Sequence, residues 1–185
     1  MTACQDIRAQ YGSDPFAVDA VPPILVLGIG NLVCGDEGFG VRVVNEFLHH
    51  YRFPPQVRVM DGGTQGLYLM PYVTGCTHLL VYDAIDYGLT PGEMRMIEGD
   101  DVPRHLACGK VSVHQTGFQE VLFAAALLGT LPSKLVVIGV QPLSIENFER
   151  ELSPCVAARV EPAIELGRSV LAAWGAEPHP VHAGA

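Results

Sequence analysis

Three carboxylates and one imidazole fall close to the ends of apolar runs in this chain: Glu37, Asp61, Asp83 and His114. Glu37 stands in the loop after the first run, Asp61 closes the second and Asp83 the third. His114 sits in Ser112-Val113-His114-Gln115, just ahead of a helical stripe. Brought together, Glu37, Asp83 and His114 would form a mixed oxygen and nitrogen site suited to a borderline divalent ion such as nickel, zinc or iron(II). Three protein ligands leave coordination positions open, which marks a catalytic rather than a structural metal site.

Whether these side chains meet depends on the elements that carry them. Residues 24–30 are a continuous apolar run, as in a strand buried on both faces. Val41, Val44, Phe47, Leu48 and Tyr51 then recur at helical spacing. Residues 56–60 read as a second strand, closed by Asp61-Gly62-Gly63; a short helix interrupted by Pro71 leads to a third strand over 78–82. Pro91-Gly92 signals a turn, and 93–98 alternate like a half-exposed strand. Phe118, Val121, Leu122, Ala125 and Leu128 mark another helix, and 135–140 form the last core strand. Ser153 is placed to cap a long final helix, with a kink near Glu161 because Pro162 falls inside it.

Strand–helix alternation of this kind predicts a parallel sheet with helices on both faces. Ligands bind such sheets beyond the carboxyl ends of the strands, where the strand order reverses. A flavodoxin-like order makes the first and third strands neighbours. Glu37 and Asp83 then face each other across the switch point, with His114 arriving from the next loop.

The bulk composition limits the partners. At 185 residues, nearly half apolar and 17% charged, the chain suits one domain, expected over 24–174 between an N-terminal tail (1–23) and a frayed C-terminal tail (175–185). Eleven basic against 20 acidic residues give a net charge of -9, which disfavours nucleic acid and anionic membrane as partners. No run approaches the ~20 apolar residues of a bilayer span. Asp6, Arg8, Asp14 and Asp19 break any signal-peptide pattern. The five cysteines, Cys4, Cys34, Cys76, Cys108 and Cys155, are scattered and read as free, small buried thiols in a reducing compartment. A cytoplasmic monomer is the expectation.

Plainer readings stand beside the metal site. Gly28-Ile29-Gly30 opens like a dinucleotide fingerprint with Asp61 where a ribose-binding acid would sit, but position 33 is Val. Glycines that permit a tight strand-to-loop turn are the better account. Asp36 suits a helix cap or a general base, and Asp61 a turn former or a general base. Asp86 reads as a solvated loop acid, and Gln115 and Thr116 as caps of the following helix. His49 and His50 read as solvent-facing at a helix end, His78 and His105 as without a function, and His179 with His182 as a sparse tail pair. Cys34 stands close to Glu37, but nothing flanking it supports a Cys34–His114 nucleophile.

An ordered series of motifs adds a family resemblance. Residues 24–41 (ILVLGIGNLVCGDEGFGV), Asp61-Gly62-Gly63-Thr64, Asp83-Ala84-Ile85, Ser112-Val113-His114-Gln115, Gly139-Val140-Gln141-Pro142 and Leu152-Ser153-Pro154 follow one another in the order and spacing of the [NiFe] hydrogenase maturation proteases. The chain resembles that family over roughly residues 24–174; only 143–151 match loosely. The resemblance implies a three-layer α/β/α sandwich with a mostly parallel, twisted five-stranded sheet, and Glu37, Asp83 and His114 as contacts to nickel. It implies an endopeptidase that removes the C-terminal extension of a [NiFe] hydrogenase large-subunit precursor after nickel insertion. The nickel is then the substrate's own, so the protease tests for metal loading before it cuts. With two carboxylates, one imidazole and no thiolate, resting metal affinity is expected to be weak. A non-catalytic nickel-checking chaperone and a nucleotide-cofactor enzyme are the rival readings.

Overall fold

The computed structural model describes residues 22–99, 101–102, 113–145 and 150–181, with the backbone alone at 113–116. Residues 1–21, most of the expected N-terminal tail, lie outside it, as do His105, His182, Cys4 and Cys108. Strand β1 (Ile24–Ile29) is buried along its whole length, as its unbroken apolar run requires. A 3₁₀ turn (Gly35–Gly38) leads into helix α1 (Phe39–His50), followed by the short strand β2 (Tyr51–Arg52) and by β3 (Val57–Gly63). A second 3₁₀ turn (Gly66–Leu69) runs into α2 (Met70–Gly75), where Pro71 occupies the first turn and so displaces no helical hydrogen bond. Then come β4 (His78–Ala84), β5 (Met94–Glu98), α3 (Val113–Leu127) and β6 (Lys134–Val140). Helices α4 (Pro154–Ala157) and α5 (Val160–Ala173) and the short strand β7 (His179–Pro180) complete the described elements.

The main sheet has the order β3-β1-β4-β6-β5. Strand β1 pairs in parallel with both β3 and β4, and β4 with β6; the edge strand β5 alone is antiparallel. The first and third core strands are therefore neighbours, as the flavodoxin-like order anticipates. Alternate side chains of β1 feed two separate cores. Ile24 and Val26 pack with Phe39, Val43 and Phe47 of α1 and with Ala163, Ile164 and Leu171 of α5. Leu25, Leu27 and Ile29 pack with Tyr72 and Val73 of α2 and with Phe118, Val121, Leu122 and Ala125 of α3. Each fully buried Leu, Ile or Val contributes about 1.5–3 kcal/mol relative to exposure. The result is the three-layer α/β/α arrangement.

Two expectations need correction. The final helix is not one kinked rod: it breaks at Ala158 and Arg159, and Pro162 lies in the first turn of α5. A proline ring collides with the carbonyl four residues earlier, here Ala158, so the break falls there and not at Glu161. Ser153 does stand before α4, but its hydroxyl makes no capping bond. The C-terminal segment is also not frayed up to Val181: β7 pairs with β2, the Val181 N–H donates to the His50 carbonyl at 2.7 Å, and Ala176 is buried. Among the described residues, no helix is long and apolar enough to cross a membrane.

Candidate active site

The carboxyl ends of β1, β3 and β4 converge on the loop 30–38. Gly30, at φ 134°, turns the chain out of β1, and its N–H donates to the Gly63 carbonyl at 3.1 Å, tying this loop to the end of β3. The loop folds back on itself, with the Asn31 N–H donating to the Glu37 carbonyl at 3.3 Å and the Glu37 N–H to the Cys34 carbonyl at 3.2 Å. Gly40 then lies directly on the sheet. A methyl group there would collide with the carbonyls of Tyr82 and Ile29, so α1 starts over the seam between β1 and β4. Gly28 meets Gly40 from below, where any Cβ would strike its carbonyl. Gly30 is thus the turn glycine foreseen from the sequence, and Gly28 serves close packing.

This wedge sets the position of the acids. Glu37, three residues before Gly40, lies in the 3₁₀ turn that packs on β4 and is only 5% exposed. Asp83, one residue after Tyr82, is 2% exposed, and its Oδ1 accepts the Ala84 N–H at 2.8 Å. Both carboxylates therefore lie at the same end of neighbouring strands. His114 is the second residue of α3, whose Gly117 approaches Gly66 beyond β3, so its backbone belongs to the same end of the sheet; its side chain lies outside the described residues. Among the described residues no three His, Cys, Asp or Glu side chains gather at one point. Two buried carboxylates are a donor set that fits a hard or borderline divalent cation, because buried charge calls for pairing or coordination.

Known proteins resemble this chain in sequence and in fold. Residues 41–169 fit the family model described as hydrogenase maturation protease. The chain belongs to the hydrogenase maturation protease family. It is 53% identical over 152 residues to the hydrogenase expression/formation protein HupD of Bradyrhizobium diazoefficiens, covering 82% of this chain and 79% of that protein. It is 39% identical over 158 residues to the hydrogenase 2 maturation protease of Escherichia coli K12, covering 85% and 95%. The solved structure of the hydrogenase maturating endopeptidase HybD from E. coli superposes with a TM-score of 0.80 at 38% identity, covering 85% of this chain and 96% of that one.

Within this hydrogenase maturation protease the other candidates divide clearly. Asp61 stays open to solvent, yet surrounding protein pushes its carboxyl above the ordinary carboxylate range, with the Gly63 N–H pulling the other way. Asp36 is neither helix cap nor free base. It is 3% exposed and both oxygens are occupied: Oδ1 accepts the Ser153 N–H at 2.7 Å, and Oδ2 accepts the Leu143 N–H at 2.8 Å and the Ser153 hydroxyl at 2.9 Å. Asp86 is not merely solvated, because its Oδ1 accepts from Gly88 N–H and from Gln141 Nε2, each at 3.0 Å. The Cys34 thiol is pushed up by partial burial and then by Glu37, which opposes thiolate formation and speaks against a cysteine nucleophile. Among the described cysteines, Cys76 is the buried small hydrophobe, pushed up to about 12, and Cys34 and Cys155 are half-buried.

Two participants escaped the sequence reading. Gln141 is buried, and its Oε1 accepts the N–H groups of Tyr87 at 2.8 Å and Leu89 at 3.1 Å, so it shapes the loop that follows Asp83. Tyr87 packs its hydroxyl against Gly139, and burial followed by the Asp83 charge raises its pKa, with Arg95 opposing. The motif Gly139-Val140-Gln141-Pro142 was the available signal for both, since the small residue and the amide act as a pair.

Proposed function

We propose that this family member is an endopeptidase that removes the C-terminal extension of a [NiFe] hydrogenase large-subunit precursor after nickel insertion, and that it reads the substrate's nickel with Glu37, Asp83 and His114. The observation that carries the reading is the pair of buried carboxylates, Glu37 and Asp83, at adjacent strand ends in a chain of this family. A divalent ion near a scissile carbonyl polarises it or lowers the pKa of a bound water. The chain's own part is to hold two anionic oxygens at a site largely closed to water, where they act with more force than at the surface. With Asp36 fully occupied, Asp61, raised and solvent-accessible, is the better placed of the two candidate bases.

The surroundings of the acids suit a polypeptide. Leu32 and Val33 precede Glu37 in its loop, Leu67 and Tyr68 follow β3, and all four are exposed large apolar side chains. Exposed apolar side chains on loops that flank a charged centre are what a protein substrate would cover. The free thiols at Cys34, Cys76 and Cys155 accord with work in the reducing cytoplasm.

The test is to incubate the protein with nickel-loaded and nickel-free large-subunit precursor and weigh the products by mass spectrometry. Loss of a C-terminal peptide from the loaded precursor alone is the expected result. Tight binding with no cut would replace this reading with the nickel-checking chaperone.

A further inference from the structure

Asp36 is the immediate neighbour of Glu37 in the 3₁₀ turn, and its carboxylate is anchored far away in sequence. The Leu143 N–H comes from 107 residues away, and the Ser153 N–H and hydroxyl from 117. A second tie runs beside it, from the Arg42 guanidinium on α1 to the Arg150 carbonyl. Local helix chemistry does not hold the turn: neither its own N-cap, Cys34, nor that of α1, Gly38, makes a side-chain capping bond. Beyond the loop's own backbone bonds and the seating of Gly40 on the sheet, the turn is tied to the rest of the chain by this one carboxylate hub. Hydrogen bonds to an ionised acceptor are about twice as strong as neutral ones.

We propose that Asp36 is a positioning residue for the proteolytic reaction: by accepting three hydrogen bonds from the chain that follows β6, it fixes the rotation of the 3₁₀ turn and holds the Glu37 carboxylate beside Asp83. This inference rests on the reading of Glu37 as part of the reaction centre. In this role Asp36 acts through Glu37 and not on the substrate. Its effect passes through the backbone of a single adjacent residue, and a small rotation of the turn would swing Glu37 out of register with Asp83.

The structure supplies a selective probe. Both oxygens of Asp36 accept backbone N–H groups, Oδ1 from Ser153 and Oδ2 from Leu143. In Asp36→Asn, either orientation of the amide sets an NH₂ against one of these N–H donors, so one tie is broken while size and shape are kept. Ser153→Ala deletes the hydroxyl bond and leaves both backbone ties. Kinetics on nickel-loaded precursor, run below the melting temperature on protein with wild-type circular dichroism, should show kcat lowered by about 10–100-fold in Asp36→Asn with KM little changed. Ser153→Ala should lose far less. A folded Asp36→Asn protein with wild-type kcat would overturn the inference.

Should Asp36→Asn fail to fold, Ser153→Pro decides. Ser153 has φ -57°, which proline adopts, and the change removes two of the three donors to Asp36. Its kcat should fall to the same order, and wild-type kcat in that folded variant would equally overturn the inference. Glu37→Ala belongs in the same series. If it cleaves at the wild-type rate, the site reading itself fails, whereas an inactive Glu37→Ala beside a fully active Asp36→Asn rejects the role of Asp36 alone.

Discussion

A carboxylate taken out of water needs compensation, and the acids at the strand ends obtain it differently. Asp36 takes three donors from a distant segment, Asp83 takes the Ala84 N–H, and Asp61 keeps access to solvent. The placement of Glu37 and Asp83 at one end of the sheet was legible in the sequence because each closely follows an apolar run, and the switch-point rule says where strand ends meet. Asp36 was not, because its partners lie more than a hundred positions away and no local pattern announces them. His78 likewise has a contact that no local pattern announces. It opens β4, as the strand expected over 78–82 requires, pairs in register with Lys134 and stacks edge-on to Trp174 at 5.0 Å. Burial, then the Lys134 charge, lowers its pKa below the ordinary 6.5. The folded state thus resists the proton that the unfolded chain takes up, so His78 removes stability as pH falls through 6.5 and removes no more below its depressed folded pKa. His78→Gln should therefore lose less melting temperature than wild type between about pH 7.5 and about pH 5. Parallel pH profiles for the two proteins would contradict this.

At the scale of elements, the apolar runs specified the sheet and the helical stripes specified the two covering layers. Close packing between them was less visible. Tyr82 of β4 is fully buried with no hydrogen-bond partner for its hydroxyl among the described residues, and it fills the space left by Gly167 on α5. A Cβ at Gly167 would collide with that hydroxyl. Gly167→Ala should cost about 1–3 kcal/mol in chemical denaturation. Tyr82→Phe should be neutral or stabilise by up to about 1 kcal/mol, because it removes an unsatisfied buried hydroxyl. The double variant should recover part of the Gly167→Ala loss; strictly additive effects would show that the two residues do not share this contact. The broken final helix and strand β7 were missed for a related reason. The position of Pro162 within a helix depends on where the helix starts, and two-residue strands carry no period to read.

At the scale of the molecule, a net charge of -9 and buried acids at the strand ends would, on the proposed reading, favour a metal-bearing substrate over an acidic one. Leu67 and Tyr68 are exposed beyond β3 and, on the same reading, would meet the precursor. Replacing both by Ser should raise KM for the large-subunit precursor by about tenfold with kcat retained, since exposed side chains at a rim contribute to binding and not to chemistry. An unchanged KM would place substrate recognition elsewhere. The central claim is that Glu37, Asp83 and His114 act together on the precursor's nickel. Its most direct test is a cleavage assay on nickel-loaded precursor with Glu37→Ala, Asp83→Ala and His114→Ala, each confirmed folded. All three should fail to release the C-terminal peptide that the wild type releases. Cleavage at the wild-type rate by all three would contradict it.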